Sequence, residues 1–149
     1  MTTRRKKPAD HLLERRLVEF SYDKSKEKYV RLLEAFRIMD VLVPSVPASR
    51  ELPLGNRGIL APSLFIPDVL YVASLNKRLM PVFSDQNKIP SDYASSKTVF
   101  MHCSDWIKVF RTTKSEGVIL NPFSEYSFVL TPDQIRVLSL FSATAAEYR

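Results

Sequence analysis

Glycine, cysteine and histidine are scarce in this chain, and each shortage removes a class of chemistry. Three glycines in 149 residues leave no phosphate-cradling loop and no Gly-rich dinucleotide turn, because both need several backbone positions free of a Cβ. Cys103 is the single cysteine, so no intramolecular disulfide can form. With only His11 and His102 beside it, the Cys/His set of a structural zinc site is missing too. No metal site and no cofactor are expected on this count. Apolar runs are short: none approaches the roughly 20 residues that span a bilayer. The charged start "MTTRRKKPADHLLERR" has no apolar signal core behind it. The expectation is a soluble protein of the reducing cytoplasm with no membrane association.

What remains is ordinary for a globular domain. Hydrophobic residues make up 45% and charged residues 26%, and the length suits one domain over residues 1–149 with a core that needs no covalent staples. The net charge is +6, unevenly placed. The first 20 residues hold six basic side chains against three acidic ones, and Arg4, Arg5, Lys6 and Lys7 follow one another. Four like charges without an apolar neighbour cannot pack, so residues 1–7 are expected to form a disordered basic tail.

Along the chain the hydrophobic period changes repeatedly. Leu12, Leu13, Leu17 and Phe20 recur at near-helical spacing, and Tyr29, Leu32, Leu33 and Phe36 occupy i, i+3, i+4 and i+7 of a second helix. "VLVPS" is a short buried strand stopped by Pro44. Residues 46–63 then carry three of the ten prolines and read as a long, mobile connection. "LFIPDVLYVASLNKRLMPVFS" is a β-hairpin turning at "NK", where Asn76 tolerates a positive φ. A short polar helix or turn follows in "SDQNKIPSDYASS". "TVFMHC" is a strand, and "CSDWIKVFR" a helix with Ser104-Asp105 as its capping material. "GVILNP" and "YSFVL" are strands. "TPDQIRVLSLF" begins with a capping box, Thr131 at the N-cap and Gln134 at N3, with Pro132 at N1. The order predicts an α+β fold: a single mixed β-sheet with a central hairpin, helices packed on it, and two N-terminal helices preceding it.

Three blocks in this order carry a resemblance. "DVLVPS" looks like a first strand, "LFIPDVLYVASLNKRLMPVFSDQNKIP" like a hairpin ending in the Pro81-Val82-Phe83-Ser84 signature, and "GVILNPFSEYSFVLTPDQIRVL" like a strand, Asn-Pro turn and capped last helix. Together they resemble the SseB family, specifically its N-terminal domain, whose members carry the enhanced serine sensitivity label. Family hairpins usually turn on an acidic residue and glycine where this chain has Asn76-Lys77, and Phe123 stands where a glycine follows the Asn-Pro. Longer members add a C-terminal domain, and these residues are expected to hold the N-terminal one alone. The resemblance implies one α+β domain and no catalytic motif.

The candidate site lies where strands end. In "PVFSDQN" neighbouring Val82 and Phe83 face opposite sides of a sheet, so at least one is core. Ser84 or Asp85 then caps a helix just beyond. Backbone N–H groups at such a start can hold an anion, or the capping side chain can satisfy them itself. Asn121 and Pro122 end another strand. If the two rims coincide, Phe83, Ser84, Asp85, Asn121, Pro122 and Phe123 line a shallow groove for a peptide or small ligand. His102-Cys103 suggests a nucleophile, but the thiol sits on the apolar stripe of its helix and reads as core. Asp105 reads as a helix-start charge, and His11 has no partner in sequence. The expectation is therefore no enzyme but an interaction or regulatory module with an unknown protein or peptide partner. The alternative is nucleic-acid or acidic-partner binding through Arg4, Arg5, Lys6 and Lys7.

Overall fold

Strands and helices alternate in the expected order in the computed structural model, which describes residues 11–46, 65–95 and 97–147. The helices are α1 (Leu12–Tyr22), α2 (Lys26–Ile38), α3 (Cys103–Arg111) and α4 (Pro132–Glu147). The strands are β1 (Val41–Pro44), β2 (Leu70–Val72), β3 (Lys77–Val82), β4 (Thr98–Met101), β5 (Val118–Leu120) and β6 (Phe128–Leu130). The basic tail at residues 1–7 and most of the connection at 46–63 lie outside the described residues.

The expected α+β class holds, with one change in the sheet. Four strands lie in the order β2-β3-β5-β6, and β1 pairs with β4 in a separate ladder. The two ladders touch through Leu42 and Phe83, whose backbones exchange hydrogen bonds of 2.8 and 2.9 Å. Pro81 accounts for the division. Met80 N–H donates to Gly117 and the Val82 carbonyl accepts from Asn121, so even-numbered residues of β3 face β5. Odd-numbered ones face the opposite edge, where Leu79 meets Leu70 of β2 and Phe83 meets Leu42. Pro81 sits between them with no N–H to give, so one ladder ends and the other begins at the residue that cannot bond.

Helices cover one face of these strands. Val41, Val43, Met80, Val82, Val118, Leu120 and Leu130 alternate onto it and share a core with Leu13 and Leu17 of α1, Leu32 and Phe36 of α2, Cys103, Trp106 and Ile107 of α3, and Ile135 and Leu138 of α4. Phe36 meets Trp106 edge-on, centroids 6.3 Å apart. Leu42, Leu79, Phe83 and Ile119 alternate to the other face and are buried as well, which is why both neighbours in Val82-Phe83 are core.

The local signals explain most boundaries. Thr131 and Gln134 form the reciprocal capping box, with bonds of 2.8 and 3.2 Å. Ser25 caps α2 by accepting from the Lys28 N–H. Asn76 closes the hairpin turn at φ 53°, and Lys77 already belongs to β3. Gly117 enters β5 at φ +152°, where a Cβ would lie 2.5 Å from the Leu130 carbonyl oxygen. The short polar helix or turn expected after β3 is a three-residue 3-10 turn, Gln86–Lys88, because Pro90 and a polar sequence give it no apolar face to bury. One expectation changes. The cap of α3 is His102, which accepts from the Ser104 N–H at 3.4 Å, one position before the Ser104-Asp105 pair and with Cys103 as the first helical residue.

Candidate functional site

Parallel strands β3 and β5 end side by side, and in sheets of this kind the loops beyond the carboxyl ends are where clefts form. Ser84 follows β3 and Asn121 follows β5. Asn121 turns its backbone to φ 53°, a conformation Asn reaches more easily than most residues. Its side chain is thereby brought across to Ser84. The Ser84 N–H donates to Asn121 Oδ1 at 3.0 Å and Asn121 Nδ2 donates to Ser84 Oγ at 2.9 Å. Asn121 is 1% exposed, so these bonds are made out of solvent.

The network continues onto α1. Ser84 Oγ donates to Glu14 Oε2 at 2.9 Å, and the other oxygen, Oε1, lies 3.8 Å from His11 Nδ1 one helical turn earlier. Asp85 lies beside them, one ligand atom each from His11, Glu14 and Asp85 falling within 4.8 Å of one another. Asp85 also accepts from the Gln86 N–H at 2.7 Å and so caps the 3-10 turn.

From this corner α1 runs along the β5–β6 loop, and a cavity of about 600 Å³ lies between them, lined by Glu14, Val18, Glu19, Lys88, Ser124 and Tyr126 among others. Tyr126 on its lining pairs with the exposed Tyr22, their hydroxyls 2.8 Å apart. That hydrogen bond, with desolvation and the nearby Glu125 charge, pushes the Tyr126 phenol up to about 12. On the α1 wall, burial raises the Glu19 carboxyl, but the Arg16 guanidinium bonded to it and the charges of Lys28 and Arg31 outweigh that and hold it below its ordinary value.

The residues read from sequence are thus only partly a groove. Ser84, Asp85 and Asn121 do converge. Phe83 does not line a surface: it is fully buried and stacks with Phe123 at 6.3 Å and 16°, with Tyr93 edge-on at 5.8 Å. Phe123 lies outermost, 52% exposed. Pro122 is half-buried in the same turn. The anion-binding helix start is replaced by the short 3-10 turn, whose first N–H the Asp85 side chain already takes. Cys103 is buried in the core. Arg4, Arg5, Lys6 and Lys7 lie outside the described residues. What the sequence reading missed is the α1 wall: His11 and Glu14 at i, i+3 on a helix start were a legible pair, passed over because only histidines and cysteines were counted as ligands.

The sequence that builds this hairpin, parallel β3–β5 pair and capped last helix matches a known family. The profile of the SseB protein N-terminal domain matches residues 13–137. The chain belongs to the SseB family. That span runs from α1 through the second turn of α4, so every residue of the candidate site except His11 falls within it. No curated protein and no solved structure gives a significant match. Among the described residues no helix is long and apolar enough to cross a membrane.

Proposed function

We propose that this SseB-family domain is a non-enzymatic interaction or regulatory module that holds a peptide or protein segment in the cavity between α1 and the β5–β6 loop. The observation that carries this reading is the cavity itself. Its walls combine Leu17, Val18 and Tyr126 with Glu14, Arg15, Glu19, Lys88 and Glu125, and a mixed apolar and two-signed lining is suited to a peptide that presents both side chains and backbone. It displaces the expected groove by one element, from the buried Phe83 to the surface of α1.

Two further features support a binding rather than a chemical role. The Ser84 hydroxyl donates to a carboxylate and accepts from an amide, so it is held as a strut with its proton given to Glu14 rather than to a histidine base. The Cys103 thiol sits inside the core, out of reach of a substrate.

The test is a pull-down from native lysate followed by mass spectrometry, run with the natural chain and a Val18→Glu, Glu125→Lys double variant side by side. The reading expects a protein retained by the natural chain and lost by the variant at unchanged thermal midpoint. Equal retention by both, or salt-sensitive capture of nucleic acid by both, contradicts it and favours the basic arm.

A further inference from the structure

His11 and Glu14 line the cavity and Asp85 converges on them, and we infer that the three form a binding site for a borderline divalent cation of the zinc type. Each offers one ligand atom, and the three lie within 4.8 Å of one another. Ligand atoms around a tetrahedral zinc, at about 2.1 Å from the ion, are about 3.4 Å apart. Two elements supply the set: α1 gives His11 and Glu14 on one face at i, i+3, and the turn after β3 gives Asp85.

The carboxylates are already oriented in the way that metal ligands usually are. Glu14 Oε2 accepts from Ser84 Oγ at 2.9 Å, and Ser84 is in turn held by Asn121. Asp85 Oδ1 accepts from the Gln86 N–H at 2.7 Å. One oxygen of each carboxylate is thus fixed by a donor. On Glu14 the remaining oxygen is the one nearest His11 Nδ1, at 3.8 Å. Outer donors of this kind lock ligand carboxylates in metal sites. One imidazole with two carboxylates suits zinc, with cobalt as its spectroscopic substitute, better than calcium or magnesium, which prefer oxygen alone. Three protein ligands leave a coordination position open to the cavity that His11 and Glu14 line.

The inference is independent of the peptide-binding reading, because the ion alone tests it. Chelator-treated full chain is titrated with Zn2+ by calorimetry and with Co2+ by visible absorption. The expected result is one Zn2+ per chain and Co2+ bands that disappear in His11→Ala. Affinity should fall by at least about tenfold in His11→Ala and Asp85→Asn, and by about tenfold in Ser84→Ala, which touches no ion and acts by positioning Glu14. His102→Ala should bind as the natural chain does, and circular dichroism of every variant verifies the fold. The inference is overturned by an absence of saturable Zn2+ binding, by binding that His11→Ala and Asp85→Asn leave unchanged, or by a preference for Ca2+ or Mg2+ over Zn2+.

Discussion

Asn121 and Ser84 are tied by two hydrogen bonds, backbone N–H to Oδ1 at 3.0 Å and Nδ2 to Oγ at 2.9 Å, which lock the loops after β3 and β5 together 37 residues apart in sequence. Removing that side chain leaves the Ser84 N–H without its acceptor. Asn121→Ala should cost about 2 kcal/mol through the lost bonds and about 1 kcal/mol more for alanine at a positive φ. Asn121→Gly relieves only the backbone and should remain clearly destabilised. Urea unfolding followed by the single tryptophan, which is buried, reads both variants. A glycine variant as stable as the natural chain would mean that the two bonds contribute nothing.

Phe83 and Thr131 test which joints carry the fold. Phe83 is fully buried between Phe123 and Tyr93, so Phe83→Ala should cost about 3 kcal/mol or more. Thr131 is exposed and contributes one half of the capping box, so Thr131→Ala should cost about 1 kcal/mol. The order of the two in chemical denaturation is the expectation, and a reversed order contradicts the placement of Phe83.

The Tyr22–Tyr126 pair predicts a late titration. Tyr126 is pushed from 10.0 to about 12, first by its hydrogen bond with Tyr22, then by desolvation and Glu125. A phenol that holds its proton more tightly when folded contributes stability that is present below its unfolded value of 10.0 and lost as pH rises through the folded one. Phenolate absorbance should therefore resolve one of the six tyrosines ionising near 12, and Tyr22→Phe should return it toward the ordinary range. A single transition of all six in the natural chain would contradict the pairing.

Cys103 opens α3 with its side chain fully buried. A thiol reagent at neutral pH should label the native chain slowly and the unfolded chain fast. Rapid stoichiometric labelling of the native protein would contradict the burial and reopen a nucleophilic role.

Sequence made most of the scaffold legible, because its signals are local. Thr131 and Gln134 announce a capping box within four residues, and Asn76 marks its own turn. Pro81 shows where that legibility ends: its effect depends on which edge of β3 faces β5, a register that only the folded pairing decides. The site was harder still. Ser84, Asp85 and Asn121 could be placed at strand ends from their neighbours, but Glu14 reaches Ser84 across 70 residues, and nothing in either segment announces the other. Phe83 was ambiguous for the same reason, since alternation says that one of Val82 and Phe83 is buried without saying that both faces of the sheet are covered.

The central claim is that the wall of α1 and the β5–β6 loop form the binding surface, and amide chemical-shift mapping of the 15N-labelled chain with the partner recovered by pull-down tests it most directly. The account predicts perturbations concentrated at Glu14 to Glu19, Lys88 and Ser124 to Tyr126, with the exposed β4 edge at Val99 and Phe100 unaffected. Perturbations confined to β4, or to the basic residues Arg4 to Lys7, would contradict it.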